Sequence, residues 1–488
     1  MLTGVTNQRP DALGSHAARG VLQGVVGRAL SFVFAYVTTI ILARRLGPAA
    51  YGTYGIVISV LLWIEQTGRF TIPAAAAKLI AEDDDRSARV QEAALTLGVV
   101  LFGLLFVLLW LAATPLANLF GLDDGGARLI RIAALDLPFF GLYVTYRGAV
   151  QGHRDFLSLS IADVLYAGGK LIGVVFLVAV LLSLPGVMLV HAAASLGAWL
   201  FLVSRISMGI KWPSSNLARA LIHLALPLGL YMLALQTITN LDLWSLKAFD
   251  RVAAPSTIGI YVAARNLAVV PGVVLMVVSD ILLPSLSRAV ASGDAELSRQ
   301  YIQGAVRFVC IVIAPIALLL TFAAEEMMTL LYSEGFRSGG AYVRVLILYA
   351  VSLPFMDLFA SALSARGEPY RGAVTLILVI PLVTGLNVVL VESHGALGAA
   401  WGSALAGLLS TMVLGVMVAR RFGPFLRFRT IANMVLATLL MAVAANQFAK
   451  GDWVPAVAYA GCVAVYGLTL VILREVRRKD FELLAFWR

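Results

Sequence analysis

The sequence predicts an all-α polytopic membrane protein of about 14 transmembrane helices, and three observations carry that prediction. Of its 488 residues 60% are hydrophobic and only 13% are charged, against about 25% charged in an ordinary soluble domain. Apolar stretches recur from residue 21 to residue 473 without a long polar interval, and the mean hydropathy is +0.90. A unit of six such stretches also occurs twice along the chain.

A helix needs about 20 mainly apolar residues to cross a bilayer. On that criterion the spans fall at residues 21–43, 51–73, 92–114, 129–151, 157–182, 186–206, 219–244, 257–284, 302–323, 341–363, 371–392, 395–418, 431–449 and 454–473. Helices are expected rather than barrel strands, which would alternate polar and apolar residues over about ten positions. The polar first 20 residues precede an apolar run too long for a signal peptide and read as a tail before a retained span. The connections are short, so chemistry is expected inside the membrane. Residues 83–91 and 289–301 mix charged and apolar side chains, which suits either a surface helix or a solvated connector.

The net charge of +10 is dispersed at the edges of apolar runs, which argues against nucleic acid as a partner. Of the 37 Lys and Arg residues, 23 lie in loops, tails or nearby span ends on the side of the N-terminus, nine lie likewise on the other side and five fall deeper within spans. Positive charge collects in the cytoplasm, so both termini are expected there. Cys310 and Cys462 lie inside apolar runs and read as small core residues.

The pattern P-x-x-x-G-x-Y follows span 1 as Pro48, Gly52 and Tyr54, and returns after span 7 as Pro255, Gly259 and Tyr261. Pro73, Lys78 and Asp83 at the end of span 2 match Pro284, Arg288 and Asp294 at the end of span 8. Gly152 with Phe156 matches Gly367 with Tyr370, and Gly186 matches Gly398. Six spans is an even number, so both copies enter the membrane the same way and are related by a pseudo-two-fold along the membrane normal, as in many transporters. The expected organisation is a tail (1–20), an N-lobe (21–210, spans 1–6), a C-lobe (211–420, spans 7–12), two added spans (421–473) and a cytoplasmic tail (474–488). Two lobes facing a central cavity could open it on alternate sides.

A charge at mid-bilayer costs about 2.5–3.5 kcal/mol on insertion scales, so it faces a partner or a wet cavity. The candidates are Arg28 in span 1, Glu65 and Arg69 in span 2, Lys170 in span 5, Asp242 in span 7 and Arg265 in span 8; Asp163, Arg307 and Asp357 also lie within spans. Glu65 and Arg69 have the i,i+4 spacing of an intrahelical ion pair. Asp242 suits either the neutralising of a cavity arginine or an interfacial place. His191 and His223 read as packing or interface residues, and no Cys/His metal cluster is expected.

The run ILARRLGPAAYGTYG (residues 41–55) resembles the span 1 to span 2 signature of the polysaccharide-export branch of the multidrug/oligosaccharidyl-lipid/polysaccharide exporter superfamily, which includes the O-antigen-type oligosaccharide flippases. IGIYVAARNL (258–267), ILLPSLSRAVASGD (281–294) and QGHRDF (151–156) agree with it. The resemblance covers about residues 20–420. It implies a flippase moving undecaprenyl-diphosphate-linked sugars to the outer leaflet of the inner membrane, with Arg28 and Arg265 on cavity-lining helices. A guanidinium there could hold a diphosphate through two oxygens.

Two other readings compete. A cation-coupled multidrug exporter of the same superfamily would want an acidic pocket, whereas the excess of buried Arg and Lys favours an anionic cargo. A membrane O-antigen polymerase or ligase would want a long outer loop for catalysis. The expectation is therefore a transporter without catalytic residues, cofactor or metal, serving lipopolysaccharide or exopolysaccharide synthesis. Its expected partners are the lipid-linked sugar, membrane lipids and polysaccharide polymerase machinery. Fusing a reporter after Arg488 tests the topology: activity should appear with a cytoplasmic reporter, and activity confined to an exported reporter would overturn both the orientation and the even-numbered repeat.

Overall fold

The computed structural model describes residues 10–122, 125–180, 182–249, 254–425, 428–448 and 455–475. Among the described residues every regular element is helical. The α-helices are α1 (Pro10–Arg69), α2 (Ile72–Glu82), α3 (Ser87–Leu119), α4 (Gly126–Ala134), α5 (Asp136–Gly152), α6 (Phe156–Val180), α7 (Leu184–Val203) and α8 (Ser215–Phe249). They continue with α9 (Pro255–Leu275), α10 (Val277–Ala291), α11 (Ala295–Phe322), α12 (Ala324–Tyr332), α13 (Gly340–Ala365), α14 (Pro369–Phe422), α15 (Phe428–Phe448) and α16 (Pro455–Ile472).

All fourteen expected spans fall on these helices. Eleven helical stretches are long and apolar enough to cross a membrane, and two of them, Val26–Glu82 and Tyr370–Phe422, are long enough for two crossings. The shorter apolar helix Val457–Ile472 completes the set. Glycine ends one crossing and starts the next inside each long stretch. Gly47 interrupts α1 at φ 72°, ψ 171°, and Pro48 begins the new turn, where its fixed φ suits a helix start and its missing N–H is not needed. Gly395 interrupts α14 at φ 56°, ψ −132°. Both glycines adopt backbone angles that a Cβ would disfavour.

The segments between spans are tighter than the expected surface helices. Only Asp84–Arg86 forms a 3-10 turn before α3 begins at Ser87. Between α10 and α11, Asp294 accepts the Leu297 backbone N–H at 2.8 Å and so caps α11. Large aliphatic side chains such as Leu111, Ile172, Leu378 and Ile472 stand exposed along the helices, as a lipid-facing surface requires.

The chain divides into two compact units, residues 1–236 and 237–488, and the division falls inside α8. In the first unit Phe102 on α3 and Phe140 on α5 meet edge to face at 6.1 Å, within a core drawn from α2, α3, α5, α6, α7 and α8. In the second, α15 and α16 pack Met441, Cys462, Tyr466 and Leu470 with Ile311 and Leu318 of α11. Cys462 is buried there and Cys310 is half-buried, and both are free thiols. The segment expected as a C-terminal tail begins differently: Glu475 is buried, ion-paired with Arg307 at 3.4 Å and bonded by the Asn433 amide at 2.8 Å. A buried arginine recruits that carboxylate, so the chain stays with the second unit to residue 475.

Close helix contact in the first unit depends on Gly148, where a Cβ would lie 2.4 Å from the Pro73 carbonyl oxygen. Backbone cannot move aside as a side chain can. Gly148→Ala should therefore destabilise the protein by about 1–3 kcal/mol, seen as a lower thermal midpoint of the purified protein, while Gly103→Ala, whose Cβ meets nothing within 4 Å, should leave the midpoint close to wild type.

Candidate functional site

The ionisable residues within the helices form separate clusters, each held by contacts between different helices. In the first unit, α6 presents Asp163, Tyr166 and Lys170 at intervals of three and four residues, so they share one helical face. Asp163 is gripped by Arg147 of α5, whose Nε and Nη2 donate to the two carboxylate oxygens at 2.7 and 2.8 Å. This is the two-pronged geometry that makes arginine–carboxylate pairs strong. The Tyr143 hydroxyl donates to the same carboxylate at 2.5 Å, and Arg69 of α1 lies 3.9 Å from it.

Glu65 is wholly buried on α1 and accepts a hydrogen bond from Tyr166 at 3.0 Å, while Lys170 donates to the Tyr166 hydroxyl. The expected Glu65–Arg69 pair along one helix is therefore corrected. Both residues turn toward α6, because a fully buried carboxylate and a partly exposed guanidinium each find better partners across the helix contact. Asp136, equally buried at the start of α5, accepts from Ser195 of α7 at 2.6 Å and lies within hydrogen-bonding reach of Glu65. His191 of α7 is also buried and sits 3.4 Å from the Tyr54 hydroxyl.

In the second unit Arg265 of α9 pairs with Asp242 of α8 at 3.5 Å. Its Nη2 donates to Asn240 Oδ1 at 3.2 Å and to the Thr239 carbonyl oxygen. Tyr261 and Ser403 each donate to Asp242 Oδ2 at 2.7 Å. Of the two readings open for Asp242, the structure selects the neutralising partner of an arginine. The Asp242 side chain is 2% exposed, whereas the Arg265 side chain retains 17%, so the arginine is the more accessible member of the pair.

Arg28, by contrast, is exposed on α1. Sequence reasoning passes over Asp136 and Arg147. Asp136 stood as an acid inside an expected span and could have been found by that rule. Arg147 lies near the end of its expected span, and His191, which reads as a packing or interface residue, is buried against Tyr54. Among the described residues no group of three His, Cys, Asp or Glu side chains is placed to hold a metal ion.

The second unit also contains an apolar cavity of about 1450 Å³ bounded by α11, α13, α14 and α15. Gln300, Gln303 and Arg307 line it along one stretch of α11, while Phe355, Phe359 and Met412 represent its oily remainder.

A family model, "Lipid II flippase MurJ", matches residues 72–459 of the chain. No curated protein matches by sequence. Among solved structures, one titled as lipid II flippase MurJ in an inward closed conformation superposes with a TM-score of 0.76 at 14% identity, covering 94% of this chain and 99% of that one. A multidrug resistance MATE family transporter of the MOP superfamily, inward-facing, superposes at 0.70 with 13% identity, over 82% and 98% of the two chains. A MOP superfamily transporter from Pyrococcus furiosus, titled for the reverse polarity of its binding pocket, superposes at 0.64 with 15% identity, over 83% and 94%. At these identities the structures establish a shared fold.

The Asp163 cluster yields a stability prediction. Removing one partner of a buried ion pair costs about 3–5 kcal/mol, whereas replacing the whole pair with apolar groups costs far less. Asp163→Ala should lower the thermal midpoint of the purified protein sharply, and the double variant Arg147→Met with Asp163→Leu should recover much of the loss.

Proposed function

The chain belongs to the lipid II flippase MurJ family, and on that premise we propose that it carries a polyprenyl-diphosphate-linked glycan precursor from the inner to the outer leaflet of the inner membrane by alternating access. Family membership is the observation that carries this reading. The glycan is a peptidoglycan precursor of the lipid II kind, as the family's description has it, or an O-antigen-type precursor, as the sequence runs noted above imply. The chemistry shared by both is an anionic diphosphate between a sugar and a long isoprenoid chain. The two six-span lobes and the cytoplasmic placing of both termini belong to the same proposal.

Arg265 is the residue we assign to the diphosphate. Asp242, Asn240 and the Thr239 carbonyl hold the guanidinium in position, and its remaining exposed part is open to an oxyanion. Cargo and Asp242 then compete for one cation, so binding is strong enough to capture a diphosphate and weak enough to release it. The apolar cavity bounded by α11, α13, α14 and α15 has the character an isoprenoid chain requires. A cargo with about two negative charges gains roughly 4.6 kcal/mol on leaving a cell with a 100 mV membrane potential, at about 2.3 kcal/mol per charge. Outward movement therefore needs no nucleotide hydrolysis.

Arg265→Ala alone would strand the buried Asp242 carboxylate, so the informative variant is Arg265→Ala with Asp242→Asn. It should insert at normal levels yet export 10- to 100-fold less glycan per molecule, the loss expected for a charge-assisted contact of about 1.5–3 kcal/mol. Arg265→Lys should retain part of the activity, since it keeps the charge but not the planar fork. Normal export per molecule in the double variant would remove Arg265 from the site. Analysis of the lipid that accumulates in the inner leaflet on depletion of the protein identifies the glycan, and accumulation of no lipid-linked glycan would overturn the flippase reading itself.

A further inference from the structure

Glu65 and Asp136 are both 0% exposed, and each has one oxygen accounted for: Glu65 Oε2 by the Tyr166 hydroxyl and Asp136 Oδ1 by the Ser195 hydroxyl. The other two oxygens, Glu65 Oε1 and Asp136 Oδ2, are buried without a hydrogen-bond partner. The two carboxyl groups nevertheless lie within hydrogen-bonding reach of each other. An ionised carboxylate only accepts hydrogen bonds. Two buried acceptors brought together are satisfied when a hydrogen sits between them, one carboxyl becoming a donor to the other, and adjacent like charges in a dry interior favour the same outcome.

We propose that Glu65 and Asp136 form a proton-binding site in the first unit, holding one proton between their two carboxyl groups, and that its uptake and release couple cargo movement to the proton gradient. The coupling rests on the flippase reading, whereas the proton site does not. The groups facing the pair are Tyr54 on α1 and Tyr166 and Lys170 on α6, with Tyr143 of α5 behind Tyr166 and His191 of α7 beside Tyr54 and Lys170. Lys170 supplies the positive charge, acting on both carboxyls and donating to Tyr166. That ammonium decides the ligand: a metal ion placed at the same two carboxyls would sit against a fixed positive charge, whereas a proton adds no separate ion and completes the hydrogen bond. Arg69 and Arg147 are engaged by Asp163 instead.

In the cycle, a proton taken from external water makes one carboxyl neutral and joins the two oxygens. Its release to cytoplasmic water leaves two carboxylates that repel, one of which must turn toward Lys170 or toward water. Glu65 stands on the second half of α1 and Asp136 at the head of α5, so a change in their contact moves those two helices against each other.

The site is tested on purified protein in lipid nanodiscs, without cargo, by infrared spectroscopy. The wild type should show a protonated-carboxyl C=O stretch at neutral pH that shifts in D₂O, disappears on alkaline titration and is insensitive to added Na⁺ at fixed pH. Glu65→Gln and Asp136→Asn should each lose it, and the wild-type titration carries the test alone if a variant fails to fold. Absence of the stretch from the wild type, its survival in both variants, or its removal by Na⁺ at fixed pH would overturn the proton site. In proteoliposomes, flux of the lipid-linked glycan with a pH gradient should exceed flux without one, and the ratio should fall to unity in Glu65→Gln. An unchanged ratio in that variant overturns the coupling. Absence of flux under every condition overturns the flippase reading and leaves the infrared result standing.

Discussion

Hydrocarbon supplies no hydrogen bonds, and everything specific in this protein follows from that constraint. Backbone groups must be satisfied within each crossing, which leaves helices. A charged side chain must find its partner inside the protein, because lipid offers none. Asp163 illustrates the result: Arg147, Tyr143 and Arg69, from two other helices, converge on a single carboxylate. Such clusters act as fixed points between helices whose remaining surfaces are interchangeable aliphatic contacts.

The same constraint explains which features could be read from the sequence. Crossings are local, since twenty apolar residues announce themselves, and the interruptions fall at the edges of expected spans, Gly47 between the first two and Gly395 at the first residue of the twelfth, because glycine tolerates backbone angles that other residues avoid. That Glu65, Arg69, Lys170, Asp242 and Arg265 need partners was legible for a related reason, as an ionisable group in an apolar run is costly. Their partners were not legible. Tyr166 lies 101 residues from Glu65, Ser195 lies 59 from Asp136, and Ser403 lies 161 from Asp242. Helical spacing says nothing about such pairs, and it suggested the wrong partner for Glu65 by offering Arg69 one turn away.

The internal repeat gains physical content from the tyrosines that marked it. Tyr54 and Tyr261 stand at equivalent places in the two copies, and both are buried with their hydroxyls engaged. Tyr54 meets His191, while Tyr261 shares Asp242 with Ser403. His191 and Ser403 are separated by 212 positions, the same offset as Gly186 and Gly398. In the repeat read from the sequence, each tyrosine therefore meets a polar group borne by or shared with the expected sixth span, His191 in one copy and Asp242 with Ser403 in the other.

That divergence assigns different work to the two units. In the second, Asp242 has an arginine, a tyrosine and a serine around it, and Asp242 and Arg265 cancel in charge at a side chain that remains partly accessible. Such a site changes state when an external anion competes for the arginine. In the first, Glu65 and Asp136 each keep an oxygen with no donor, and the surroundings are closed. A closed site of that kind cannot admit a diphosphate, but it can exchange the smallest ligand there is. In the mechanism proposed above, anion recognition belongs to the unit whose charges are paired and reachable, and proton exchange to the unit whose acceptors outnumber its donors.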